Sequence, residues 1–159
     1  MRAGAIGVAG CAAAGDEAAN ETADPMEAFL RTAYTAHLPR EGTIAIRVGQ
    51  ANAALEALLA AHGADGWAYI TAWNPGARLL SAVENAKRHR ALVDLLQRMG
   101  RTFFEGEGVP DEPGWEPERS VLVIGIAEDE ARAIGRRFGQ LAIVCGRRGQ
   151  LPRLLACTD

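Results

Sequence analysis

The stretch that most constrains the fold of this chain is residues 67–75, Trp-Ala-Tyr-Ile-Thr-Ala-Trp-Asn-Pro. Side chains alternate between the two faces of an extended chain, and here both faces would be mostly apolar. A strand that is apolar on both faces is usually central in its sheet, with packed layers above and below it. Pro75 has no N–H and disfavours helix at the preceding residue, so the strand should end at Asn74. We therefore predict a buried central strand that leads into an Asn-Pro turn.

The remaining sequence predicts helices and strands in alternation. A first helix is expected over residues 25–36, because Asp24 is a good N-cap and Pro25 suits the first helical position. A later helix begins with a capping box formed by Ser81 and Glu84. The predicted strands are 43–48, 67–74, 101–105, 120–126, 141–145 and 153–157. This order predicts the α/β class, as a single domain with a mixed sheet of about six strands packed with about three to four helices.

Residues 1–24 precede the predicted domain, residues 25–159, and differ from it in composition. They are rich in alanine and glycine and contain almost no large apolar side chains, so we predict a flexible leader. An alternative is a bacterial lipoprotein signal, because Val-Ala-Gly-Cys at 8–11 resembles a lipobox and would anchor the protein through Cys11. No run in the chain reaches the roughly 18 apolar residues that a membrane-spanning helix needs.

Composition disfavours two classes of function. With a net charge of −3 and 23% charged residues, the chain lacks the strongly basic surface that is typical of a nucleic-acid-binding domain. The three histidines and three cysteines show none of the spacings that bind metal ions, so we expect no metal and no cofactor. The familiar phosphate-binding and nucleophile motifs are also missing from the sequence. These observations favour a site for a small molecule or a surface for another protein.

Polar residues are predicted to gather at one end of the sheet. Strands joined by a helix usually run parallel, so the strands ending at Asn74 and Glu105 should point their carboxyl ends the same way. The helix between them begins at that end, and the loop before residue 120 and the turn at 138–140 return to it. Open α/β sheets usually bind ligands at such an end. The candidate site residues there are Asn74, Ser81, Asn85, Glu105, Trp115, Glu118 and Gln140.

These candidates are mainly amides, carboxylates and aromatic rings. Amides recognise donors and acceptors on neutral ligands and aromatic rings stack on flat ones, which favours a nucleobase-like compound or another small polar metabolite. If the cleft catalyses a reaction, Glu105 is the candidate acid or base, and the other candidates bind the ligand. Two alternatives stay open. The amides could serve only to tie loops together, or the acidic segment 105–118 with Trp115 could form a protein-interaction surface.

Five segments carry a distinctive combination of motifs. They are Thr-Ala-Trp-Asn-Pro at 71–75, Ser81 with Asn85, Glu-Gly-Glu-Gly at 105–108, Trp115, and Phe-Gly-Gln at 138–140 with Ala142. Together they resemble a family of small bacterial proteins that is catalogued only as a domain of unknown function. The resemblance covers about residues 43–157, and it implies the domain boundaries and a cytoplasmic protein. It implies no activity, and an anchored lipoprotein stays the alternative to the cytoplasmic location.

Overall fold

The fold is seen in a computed structural model that describes residues 24–158. The predicted leader before Asp24 and the alternative anchor at Cys11 lie outside these described residues. Within them the helices are α1 (Pro25–Leu30), α2 (Ala53–Ala61), α3 (Ala82–Arg98) and α4 (Glu128–Arg137). The strands are β1 (Thr32–Leu38), β2 (Gly42–Ile46), β3 (Gly66–Thr71), β4 (Thr102–Pro110), β5 (Glu118–Ile124), β6 (Ala142–Arg147) and β7 (Arg153–Ala156). The predicted α/β class and single domain are confirmed, with seven strands where about six were expected.

The seven strands form one sheet in the order β2-β1-β4-β5-β3-β6-β7. Every pairing between the described strands is antiparallel. β3 and β4 nevertheless point the same way, as the sequence predicted, because each runs antiparallel to β5, which lies between them. The carboxyl ends of β3 and β4 therefore lie at the same edge of the sheet, where β5 begins.

The predicted first helix is wrong in its second half. Asp24 caps α1 by accepting a hydrogen bond from the backbone N–H of Met26, but the helix ends at Leu30. Residues 32–38 instead form β1, which pairs with β2 and β4. Buried positions along β1 alternate with exposed or half-buried ones, and threonine and tyrosine favour extended backbone. Burial of this alternating face outweighs the helix-start signal at Asp24.

The two faces of the sheet carry separate cores. On one face, which we call the helical face, α3 and α4 pack against side chains such as Ala68, Ile70 and Val123. On the other, which we call the inner face, α2 packs against side chains such as Trp67 and Tyr69. Since both sets of β3 side chains are buried, the prediction of a central strand is confirmed.

The sheet curls because β1 leaves β4 and crosses the inner face. β1 pairs with β4 only from Thr32 to Tyr34. The next residue, Thr35, lies so close to Gly106 of β4 that a Cβ added at Gly106 would be 1.8 Å from the Thr35 carbonyl oxygen. Tyr69 of β3 donates a hydrogen bond to the same oxygen, at 2.6 Å. Glycine at position 106 thus permits the close crossing of β1 over β4.

Candidate functional site

A cavity of about 640 Å³ opens on the inner face, beside the part that α2 covers. We call it the inner cavity. Its walls come from several strands, from α1 and from the loops that follow β3 and β4. The strand residues that line it are Thr32, Tyr34, Tyr69, Thr71, Gly108, Pro110, Glu118, Ser120, Ala142, Ile143, Val144 and Leu154. Largely apolar walls with a few placed polar groups are typical of small-molecule sites.

Four of the seven candidates from the sequence line the inner cavity: Asn74, Trp115, Glu118 and Gln140. Asn85 lies directly behind Asn74 and is hydrogen-bonded to it. Ser81 and Glu105 are not among the lining residues. The structure therefore brings most of the predicted polar residues to one place. It does so because β3 and β4 point the same way, although every pairing between the described strands is antiparallel.

Asn74 connects the rim of the cavity to α3 and β5. It follows β3 in the left-handed conformation, with φ 43° and ψ 65°, which asparagine adopts more readily than most residues. Its side-chain oxygen accepts hydrogen bonds from the Leu80 backbone N–H at 3.0 Å and from Asn85 Nδ2 at 2.8 Å. Its Nδ2 donates to Glu118 Oε1 at 2.8 Å. Asn74 therefore fixes the Glu118 carboxylate relative to the turn that follows β3.

Gln140 is buried at the same rim. Its Nε2 donates to the carbonyl oxygens of Trp73 at 3.1 Å and Phe138 at 3.4 Å. Arg88 of α3 holds the same segments, because its guanidinium donates to the carbonyl oxygens of Ala72 and Phe138. Since Nε2 serves two main-chain carbonyls, the orientation of the amide is set, and its Oε1 accepts no hydrogen bond from the described residues.

Glu118 lines the cavity half-buried and forms no ion pair with any described residue. Burial raises the pKa of Glu118 above its ordinary value, and the hydrogen bond from Asn74 opposes this effect only in part. The other carboxylates in the lining do have cationic partners at the mouth, since Asp111 pairs with Arg47 and Glu112 with Arg31. Carboxylates with a raised pKa inside a cavity are frequent at functional sites.

Glu105, the predicted acid or base, lies in the middle of β4 and outside the inner cavity. Its Oε1 accepts hydrogen bonds from His89 Nε2 at 2.7 Å and from Arg119 at 3.3 Å. The hydrogen bond from His89 lowers the pKa of Glu105 and outweighs the opposing effect of burial, and the charge of Arg119 lowers it further. Glu105 is thus an ionised, half-exposed carboxylate that binds α3 to the sheet.

Ser81 and Asn85 position the rim from the first turn of α3. Ser81 Oγ accepts from the Glu84 backbone N–H, and Glu84 Oε2 accepts from the Ser81 backbone N–H, each at 3.2 Å, so the predicted capping box is confirmed. Asn85 is buried, and its Oδ1 accepts from the Asn74 backbone N–H at 2.9 Å. Its Nδ2 also reaches the Leu80 carbonyl oxygen at 3.4 Å. These contacts are the ones expected if Asn85 serves to tie loops together, which was one of the alternatives left open by the sequence.

The walls include residues that were not among the candidate site residues from the sequence, namely Tyr34, Tyr69, Thr71 and Ser120. The rings of Tyr34 and Tyr69 meet edge to face with their centroids 5.1 Å apart. Tyr34 was missed because it was assigned to a helix. The strand-favouring residues Thr32, Tyr34 and Thr35 were the signal that could have placed it in a strand.

Trp115 lies at the mouth of the cavity with 57% of its surface exposed. The segment 105–118, expected to be an acidic loop, is divided in the structure. Its first part belongs to β4, which continues to Pro110, and the loop is limited to residues 111–117. Leu79, on the loop after β3, also lines the cavity and is 78% exposed. The mouth therefore presents two large apolar side chains to solvent.

Within residues 24–158, no group of three or more histidine, cysteine, aspartate or glutamate side chains could hold a metal ion. None of the helices in that range is long and apolar enough to cross a membrane.

Comparison with known proteins identifies one family. No curated protein and no solved structure matches the chain. Residues 70–143 match the family model described as "Protein of unknown function (DUF3293)". This range contains all seven candidate residues, from Asn74 to Gln140, and it confirms the resemblance that the motifs suggested. Residues 70–143 of the chain are thus similar to this family of unknown function.

Proposed function

We propose that the domain binds a small polar metabolite, such as a nucleobase-like compound, in the inner cavity. The observation that carries the proposal is the Glu118 carboxylate, held by the Asn74 amide inside a cavity of about 640 Å³. Drug-sized or metabolite-sized ligands need roughly 300–1,000 Å³ of concave space with a few fixed polar groups. The tyrosine rings of the walls supply apolar surface for a flat ligand.

If the domain also catalyses a reaction, the carboxylate suited to acid or base chemistry is Glu118 rather than Glu105. Glu118 lines the cavity, and its pKa is raised by burial, whereas the pKa of Glu105 is lowered and its carboxylate is bonded to His89. A general acid or base works best when its pKa lies near the working pH. Glu105 is therefore assigned to the support of α3 in this proposal.

A thermal-shift screen with nucleobases, nucleosides and other small polar metabolites tests the proposal. A ligand that binds only the folded state at about 100 times its Kd adds about 2.7 kcal/mol of stability, which raises the Tm of a domain of this size by roughly 5 to 10 °C. We expect at least one compound to produce such a shift. A screen in which no compound raises the Tm would contradict the proposal.

A matched pair of alanine-to-leucine variants locates the binding site of any hit. Ala142 lines the cavity, so Ala142→Leu should fill part of it and abolish the shift. Ala91 is exposed on α3, and Ala91→Leu should preserve the shift. A shift that survives Ala142→Leu undiminished would place the ligand elsewhere.

The exposure of Trp115 favours a second candidate function, a protein-interaction surface at the mouth of the cavity. Exposed tryptophan is a common anchor of protein interfaces, and the flanking loop residues Asp111, Glu112 and Glu116 are acidic. Trp115→Ala separates the two functions. For a ligand site that uses the ring, this variant should weaken the ligand-induced shift, whereas an interface anchor would leave that shift unchanged.

A further inference from the structure

We propose that the ligand of the inner cavity carries a positively charged nitrogen, in an ammonium, amidinium or guanidinium group, and that the Glu118 carboxylate binds this group. The inference rests on the proposed function, because it concerns the same cavity. It goes further by stating the charge of the ligand and the atom that recognises it.

Apart from Arg31 and Trp115 at the mouth, the side-chain donors of the walls are already used within the protein. The residues whose side-chain donors bond protein oxygens are Tyr34, Tyr69, Thr71, Asn74, Ser120 and Gln140. What these walls leave for a ligand is mainly acceptors: the carboxylate oxygens of Glu118 and the side-chain oxygen of Gln140. A ligand that satisfies acceptors must itself supply N–H or O–H donors.

The charge of the cavity also favours a cationic ligand. Glu118 has no cationic partner in residues 24–158, while the guanidinium groups at the mouth, Arg31 and Arg47, are paired with Glu112 and Asp111. A partly buried carboxylate without a counter-charge attracts a cation and repels an anion more strongly than it would in water. A charged donor also forms a stronger hydrogen bond to a carboxylate than a neutral donor does.

The walls around Glu118 suit the rest of such a ligand. Tyr34 of β1 pairs with Gly108 of β4, and Gly108 pairs with Glu118 of β5, so the three residues form one row across the sheet. Because Gly108 has no side chain, no Cβ stands between Tyr34 and Glu118 in this row, and one added there would be 3.9 Å from the Tyr34 ring. Aromatic rings next to a carboxylate are favourable surroundings for an organic cation with an apolar body.

Three compounds of nearly equal size and shape test the charge of the ligand: benzamidine, which is cationic, benzamide, which is neutral, and benzoate, which is anionic. Their Kd values would be measured by NMR titration of the full chain at neutral pH, with binding located by shifts of the Tyr69, Thr71 and Val144 amides. We expect benzamidine to bind at least about tenfold more tightly than benzamide, a factor that corresponds to about 1.4 kcal/mol. Benzoate should bind most weakly.

Two glutamate-to-glutamine variants identify the carboxylate. Glu118→Gln removes the charge in the cavity and should reduce the preference for benzamidine over benzamide to less than about threefold. Glu107→Gln is the matched control, because Glu107 is exposed on β4 and does not line the cavity, and it should preserve the preference.

Three results would overturn the inference: benzamide or benzoate binding as tightly as benzamidine, a preference for benzamidine that survives Glu118→Gln, or no binding of any of the three compounds at about 10 mM. None of these results alters the outcome of the metabolite screen with Ala142→Leu. The charge of the ligand and the use of the cavity can therefore fail separately.

Discussion

Glu105 and Glu118 stand close together on paired strands, yet they lie on opposite faces of the sheet. Glu105 of β4 pairs with Val121, and three residues later Gly108 pairs with Glu118. Glu105 is on the helical face, where His89 lowers its pKa, and Glu118 is on the inner face, where burial raises its pKa. Two chemically identical groups thus differ because one has cationic and imidazole partners and the other has only an amide.

The difference teaches that the alternation of side chains between the two faces of a strand, rather than proximity in sequence, decides which carboxylate reaches the cavity. Along β4, Phe103 and Glu105 face α3, while Phe104, Gly106 and Gly108 face the inner side. The inner face is hollow where small residues replace bulky ones. The helical face is filled by the side chains of α3 and α4, so a carboxylate there forms contacts with the fold instead of with a ligand.

The largest expected loss of stability comes from disturbing the close crossing of β1 over β4 at Gly106. Gly106→Ala would place a Cβ 1.8 Å from the Thr35 carbonyl oxygen, so β1 must move away from β4. Overpacking of this kind costs about 3 kcal/mol or more when the obstacle is backbone. The free energy of unfolding from urea denaturation measures the loss. Gly108→Ala is the control, because its added Cβ has no atom closer than 3.7 Å, and it should cost less than about 1 kcal/mol. Equal losses for the two variants would show that the crossing does not set the curvature.

A smaller loss of folding stability is expected from a substitution at Asn74, which joins the two faces of the sheet. Asn74→Ala removes the bonds to Asn85 on the helical side and Glu118 on the cavity side, and it leaves the buried Asn85 amide without its main partner. We expect a loss of about 2 to 3 kcal/mol in the free energy of unfolding. Asn52→Ala also removes an asparagine with two hydrogen bonds, but Asn52 caps α2 in extended backbone, and the expected loss is about 1 kcal/mol. A loss for Asn74→Ala no greater than for Asn52→Ala would show that the two faces are not joined through this residue.

The smallest expected effects are the changes in folding stability on replacing each carboxylate by glutamine, and they have opposite signs for Glu105 and Glu118. The pKa of Glu105 is lowered from 4.5, so its stabilising contribution is present above that pH and is lost as the pH falls through the folded-state pKa. Glu105→Gln should therefore cost less than about 1 kcal/mol at neutral pH, since the carboxylate is half-exposed, and almost nothing in acid.

Glu118 behaves in the reverse way. Its pKa is raised from 4.5, so the folded state favours the protonated form, and stability is lost as the pH rises through the folded-state pKa. The groups that face it are Asn74 and Tyr34, neither of which supplies a positive charge. Glu118→Gln keeps an oxygen for the Asn74 amide and should be neutral or slightly stabilising above that pH, by less than about 1 kcal/mol. Urea denaturation of both variants between pH 3 and pH 8, a range that brackets the reference pKa of 4.5, checks the signs. Parallel pH profiles would contradict the contrast between the faces.

The sequence by itself determined the central strand, the capping box at Ser81 and the set of polar residues around the Asn-Pro turn. These features depend on local chemistry: apolar side chains on both faces of β3, an Asn-Pro turn after it, and a serine three residues before a glutamate. The end of β3 was predicted wrongly, because the strand stops at Thr71, before the predicted end at Asn74. The direction shared by β3 and β4 followed from the helix between them. For this reason Asn74, Glu118 and Gln140 could be predicted to lie together before their contacts were known.

Only the tertiary structure decided which carboxylate enters the cavity and where the cavity is. Thr32–Leu38 became a strand because its alternating face is buried against neighbours distant in sequence, which the Asp24 cap cannot indicate. β4 runs on past Glu105 because β1 and β5 pair with residues 106–110. Glu105 therefore lies inside the strand, and its side chain points to the helical face, where it meets His89. The close crossing of Thr35 and Gly106 is likewise a contact between residues about 70 positions apart, and no local pattern encodes its geometry.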